Sequence, residues 1–98
     1  MRFLVIGAGL QGYAAAFDLG RTQGVTEVVV ADSNAGRARE AAARLNPTVA
    51  TVRAEILDVS NEPRLADRLR GFDVVISAVP YFLNLMLTRA AIEARVSF

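Results

Sequence analysis

The chain opens with an apolar run, Phe3-Leu4-Val5-Ile6, that passes directly into Gly7-Ala8-Gly9-Leu10-Gln11-Gly12 and then into a helical pattern. A second apolar run, Val28-Val29-Val30-Ala31, ends at Asp32, about twenty residues beyond the last of the three glycines. Strand, Gly-x-Gly-x-x-Gly, helix, strand and acid in this order constrain the chain to a βαβ unit, and together they form a dinucleotide-binding fingerprint. Each part has a mechanical task. Gly7 permits the tight turn out of the strand, Gly9 lets the backbone approach a pyrophosphate, and Gly12 allows the first helix to pack closely on the sheet. Leu10 and Gln11 stand at the positive end of that helix, where free N–H groups receive phosphate oxygens.

The remaining chain alternates short apolar strands with amphipathic helices, which predicts a parallel sheet covered by helices on both faces. The first helix is expected over Gln11 to Leu19, with Leu10, Ala14 and Phe17 facing the sheet, Asp18 in solvent, and Gly20 and Gly24 closing it. The second strand, Glu27 to Ala31, reads as buried on both faces. A second helix from about Asn34 carries Ala38, Ala41, Ala42 and Leu45 on one face and stops at Asn46-Pro47. Its Glu40 and Arg44, four apart, form a solvated pair worth about 0.3–0.5 kcal/mol.

Thr51 to Leu57 alternates Val52, Ala54 and Ile56 with Arg53 and Glu55, the pattern of a strand near a sheet edge. A short helix from Pro63 to Leu69 buries Leu65 and Leu69 and ends before Gly71. The fourth strand is Asp73 to Ala78, a long apolar helix follows Pro80, and Val96-Ser97-Phe98 reads as the start of a fifth strand. Right-handed crossovers then give the order 3-2-1-4 in a doubly wound α/β sheet, the Rossmann arrangement, with the fifth strand beside the fourth. About six strands complete such a sheet, so the 98 residues read as one domain, the N-terminal portion of something longer. Phe82, Leu83, Leu85, Met86 and Leu87 make the helix after Pro80 more apolar than solvation requires, which offers a surface for self-association.

The composition limits the chemistry. All eleven cations are arginine, and lysine, histidine, cysteine and tryptophan are absent. A Walker lysine, a Ser-His-Asp triad, thiolate zinc ligands and disulfides are therefore excluded. The net charge of +1 without a basic block gives no electrostatic support for nucleic acid or a membrane surface. No apolar run approaches the ~18 residues of a membrane span, and the first strand breaks into glycines instead of a cleavage site, so a cytoplasmic protein is expected. What remains is backbone N–H groups, carboxylates, hydroxyls and arginines. This is the inventory of a binding module, and no catalytic residue or metal ligand is assigned.

Phe72-Asp73-Val74-Val75-Ile76-Ser77-Ala78-Val79-Pro80-Tyr81-Phe82-Leu83-Asn84 resembles the fourth-strand segment of the saccharopine dehydrogenase-like oxidoreductases, lysine 6-dehydrogenases in particular. Val5 to Gly12 and Leu57-Asp58-Val59-Ser60 fit the same picture. The resemblance spans the chain but only that family's cofactor domain, and Ala78 to Asn84 is its discriminating part. It implies an NAD- or NADP-dependent oxidation or reduction of a C–N bond in an amino acid. It also implies that the substrate and catalytic residues lie in a second domain. Asp58 and Val59 would then lie beside the adenine.

Several residues admit two readings. Asp32 is placed to accept the ribose hydroxyls of an adenosine, or it caps the second helix, a task that Ser33 or Asn34 can take instead. A carboxylate there repels a 2′-phosphate and favours NAD. Ser33, with Arg37 in the first turns of the helix, provides the alternative, an NADP site; Arg37 is equally a surface residue. Asp58 is an adenine neighbour or a turn residue. Ala78, Val79 and Pro80 leave the fourth strand where ligands collect, so they are expected against the nicotinamide half, although Pro80 also suits a helix start. Tyr81 is read as packing. Two other functions compete with the oxidoreductase: a non-enzymatic nucleotide sensor of a potassium transport system, and a flavin-binding domain.

Overall fold

A computed structural model describes residues 1–7, 9–45, 51–59, 64–78 and 81–98, without the side chains of residues 10, 11, 13, 20 and 81–85. Strands β1 (Arg2–Ile6), β2 (Glu27–Asp32), β3 (Thr51–Ile56) and β4 (Val74–Ser77) alternate with helices α1 (Leu10–Gly20), α2 (Ala35–Leu45), α3 (Leu65–Leu69) and α4 (Tyr81–Ala94). The sheet is parallel throughout, in the order β3-β2-β1-β4. Among the described residues no helix is long and apolar enough to cross a membrane.

The unbroken apolar runs of β1 and β2 follow from cover on both faces. Leu4, Ile6, Val29, Ala31 and Val75 point to one side, where they meet Leu65, Leu69, Leu87, Ala90 and Ala91 of α3 and α4. Phe3, Val5, Val28 and Val30 point to the other, against Ala16 of α1 and Ala41 and Leu45 of α2. Leu4, Ile6, Leu45, Leu69 and Leu87 are fully buried, and each contributes about 1.5–3 kcal/mol by leaving water.

The face of α1 differs from the periodicity reading. Ala14 is exposed, Phe17 is 38% exposed, and Ala16 and Gly12 turn inward instead. Helix and sheet approach so closely here that a Cβ on Gly12 would lie 1.6 Å from the Gly7 carbonyl oxygen. Only the smallest residues fit that contact, and they displace the bulkier ones from it. Phe17 is covered from the solvent side by the Arg21 guanidinium, 4.8 Å from its ring centre. Asp18 is solvent-exposed, as expected.

β3 is a sheet edge, with Val52 and Ala54 half-buried as the alternation predicts. Ile56 departs from it, being 55% exposed. It ends the strand beside Ala35 and Ala38 of α2, which are too small to cover it. Within α2, Ala38, Ala41 and Leu45 are buried, and Ala42 is intermediate. The Glu40–Arg44 pair is closed at 2.5 Å on the exposed face. α3 buries Leu65 and Leu69 as expected, whereas Pro63 and Asn46-Pro47 lie outside the described residues.

After α4 the chain turns at Arg95, whose φ of 60° is left-handed, and Val96 donates back to the Ala91 carbonyl at 3.1 Å. Ser97 then forms a parallel bridge to Val74; its carbonyl accepts from the Val75 N–H at 2.7 Å. This isolated bridge lies beside β4, where the sequence reading places a fifth strand. At the amino ends of the strands, Arg2 binds Glu27 at 2.8 Å, donates to the Gly71 carbonyl and lies over the Phe72 ring. That cluster closes the end of the sheet remote from the glycine turn.

Candidate functional site

Three hydrogen bonds carry the ladder past the strands at their carboxyl ends. Gly7 donates to the Ala31 carbonyl at 2.7 Å, Leu57 to the Asp32 carbonyl at 2.9 Å, and Ala78 to the Ile6 carbonyl at 2.8 Å. They fix the exits of all four strands side by side. Between these exits lies a pocket of about 350 Å³. Gly7 and Gly9 form one wall, Asp32, Ser33 and Arg37 a second, and Leu57, Asp58, Val59 and Ala78 complete it above Ile6.

The wall at Gly7 depends on glycine twice. Its φ is +101°, and a Cβ would meet the Ala78 carbonyl oxygen at 2.8 Å. The turn thus brings the ends of β1 and β4 into contact. Gly9 contrasts with it: φ −70° and ψ −170° suit any residue, and a Cβ there would meet nothing within 4 Å. As the N-cap of α1, Gly9 brings no side-chain acceptor to the helix end, and no acid stands in the first turn. Leu10 and Gln11 begin the helix at this end, so the positive pole of an eleven-residue helix borders the pocket. Gly12 does not line the pocket; its task is the close contact with Gly7.

Asp32 is the buried charged residue of this region, 7% exposed at the end of β2. Its Oδ1 accepts the Asn34 N–H at 2.9 Å, and its Oδ2 lies 3.9 Å from Nη1 of Arg37. Helix α2 takes its cap from Asn34, whose Oδ1 accepts the Arg37 N–H at 2.9 Å. Asp32 is therefore not that cap. Arg37 is largely exposed and reaches the pocket from the first turn of α2.

Of the residues singled out by sequence, the pocket brings together Gly7, Gly9, Asp32, Ser33, Arg37, Asp58, Val59 and Ala78. Val79 and Pro80 lie outside the described residues. Ile6 and Leu57 line it without having been singled out. Each is the last apolar residue before a turn, a signal that sequence alone assigns to the core. Among the described residues no His, Cys, Asp or Glu side chains gather as for a metal ion.

Gly9→Ala separates folding from binding at this turn. The added methyl meets open space, so stability in urea denaturation will stay within about 0.5 kcal/mol of the parent. Dinucleotide affinity by titration will fall at least about tenfold, the cost of about 1.4 kcal/mol of lost approach.

A doubly wound sheet with a glycine turn after its first strand and a pocket at the strand ends defines a Rossmann-type dinucleotide-binding domain. Residues 3–98 match the saccharopine dehydrogenase NADP binding domain. The chain belongs to that family, whose domain is one that binds a nicotinamide dinucleotide.

Among solved structures, apo saccharopine dehydrogenase (L-Glu forming) from Saccharomyces cerevisiae is similar with a TM-score of 0.79 and 26% identity, over 97% of this chain and 20% of that one. Quinate dehydrogenase from Corynebacterium glutamicum, in complex with NAD, has a TM-score of 0.62 and 30% identity over 81% of this chain and 27% of its own. Ligand-free 5-ketofructose reductase from Gluconobacter sp. strain CHM43 has a TM-score of 0.61 and 28% identity, over 80% and 26%. The chain spans only about a fifth of the yeast enzyme. These likenesses are to dehydrogenases and a reductase, and they lend the nucleotide-sensor alternative no support.

The residues present fit the cofactor. The uncapped helix end and the open space at Gly9 suit a pyrophosphate, and the buried carboxylate at the end of β2 suits a pair of ribose hydroxyls.

Proposed function

We propose that this domain holds NAD(H) for an oxidoreductase acting on the C–N bond of an amino acid, in the manner of saccharopine or lysine dehydrogenases. The observation that carries the NAD assignment is Asp32, a buried carboxylate in the pocket wall. It accepts ribose hydroxyls and repels a 2′-phosphate. The pyrophosphate rests on the N–H groups at Leu10 and Gln11, beside Gly9. Asp58 and Val59 border the adenine, and the nicotinamide half extends past Ala78.

The cofactor supplies the hydride chemistry, and the protein supplies binding and orientation. With no histidine, lysine or cysteine in the chain, the groups that most often move protons come from outside it. The amino-acid substrate is accordingly presented by a further domain. A second reading, NADP, is favoured by Arg37, which lines the pocket beside Ser33 where a 2′-phosphate would sit.

Residues 1–98 incubated with NAD and lysine, glutamate or saccharopine will form no NADH, followed by absorbance at the nicotinamide band. Amino-acid-dependent NADH formation by this chain alone would place the chemistry inside it and overturn the division of labour.

A further inference from the structure

Asn34 does not line the pocket, yet its backbone and side chain engage two residues of the pocket wall, Asp32 and Arg37. Its N–H is held by Oδ1 of Asp32 at 2.9 Å, and its own Oδ1 holds the N–H of Arg37 at 2.9 Å. The second bond pins the turn between β2 and α2 to the first turn of the helix, which fixes the direction of the Asn34 N–H. The first bond then fixes the carboxylate of Asp32. Nη1 of Arg37 closes the ring at 3.9 Å from Oδ2.

We infer that Asn34 is a positioning residue for cofactor selection, presetting the Asp32 carboxylate toward the ribose through the cap of α2. This rests on the ribose role proposed for Asp32. A carboxylate held before binding loses no rotamer freedom when the hydroxyls arrive, and it cannot swing aside to admit a 2′-phosphate. The cap and the selectivity are thus one device.

The test titrates the parent chain, Asn34→Ala, Asn34→Gly and Asn34→Ser with NADH and NADPH, with a thermal melt of each. Glycine is a tolerated N-cap, so Asn34→Gly removes the anchoring oxygen with little loss of helix stability, and serine supplies a replacement acceptor. Asn34→Ala and Asn34→Gly are expected to bind NADH about fivefold more weakly, the value of one hydrogen bond. NADPH affinity will change less, so the preference narrows. Asn34→Ser restores it. A residue serving the helix alone would weaken both cofactors in parallel and leave the ratio unchanged, which overturns the inference. If the parent shows an NADH preference that Asp32→Asn abolishes while the Asn34 variants keep it, only the role of Asn34 fails. If the parent binds neither cofactor or prefers NADPH, the ribose reading fails and takes this inference with it.

Discussion

Gly12→Ala will destabilise the domain by about 3 kcal/mol or more, against the ordinary sign for this substitution in a helix. Glycine inside a helix normally costs about 1 kcal/mol relative to alanine, so the exchange should stabilise α1. Here the new methyl would lie 1.6 Å from the Gly7 carbonyl oxygen and 2.8 Å from its carbonyl carbon. Both are backbone atoms, and Gly7 is held in place by the hydrogen bond of its N–H to the Ala31 carbonyl. The helix must move off the sheet. Overpacking of this kind commonly costs about 1–3 kcal/mol, and a backbone obstacle puts it at the upper end or beyond. A small domain with a total stability of about 5–15 kcal/mol feels that loss strongly. Urea denaturation of parent and variant measures it, and a variant as stable as the parent would show that α1 does not pack on the turn.

The second large effect is on binding. Asp32→Asn preserves the size of the side chain and an oxygen able to accept the Asn34 N–H, while removing the charge. Its folding stability should therefore remain near the parent's. Hydrogen bonds to a charged partner contribute about 1.5–3 kcal/mol, so NADH affinity will fall roughly 10–100-fold. NADPH will not lose in the same way if Asp32 has the proposed role, because the removed charge would then repel its 2′-phosphate. Asp32→Ala adds a folding cost, since it strands the Asn34 N–H in a part-buried position. Equal losses for the two cofactors on Asp32→Asn would remove the carboxylate from the adenosine site.

Strand order and a pocket at the carboxyl ends of the strands were legible because they follow from unbroken apolar runs, glycine placement and one acid at a strand end. Val28 to Val30 can be buried on both sides only inside a covered parallel sheet, and the structure buries them so. The face of α1 was not legible. Periodicity follows bulk, and it pointed to Ala14 and Phe17 (the Leu10 side chain lies outside the described residues), whereas a very close helix–sheet contact selects small residues, Gly12 and Ala16. Ile56 misled for a related reason: its alternation is correct for an edge strand, but Ala35 and Ala38 opposite it cannot provide cover. At the pocket, the placement of Gly7, Gly9 and Asp32 together was readable from spacing. The division of labour between Asp32 and Asn34 was not, because either side chain is chemically able to cap a helix and only the geometry of the turn distinguishes them.

Amide NMR of the labelled chain during an NADH titration locates the dinucleotide directly, across the carboxyl ends of the strands or elsewhere. The largest shifts are expected at Gly7, Gly9, Asp32, Ser33, Asp58 and Ala78, while Arg64, Arg89 and Glu93 around the cleft between α3 and α4 stay still. Shifts concentrated at that second cleft, or none at all, would contradict a dinucleotide site at the strand ends.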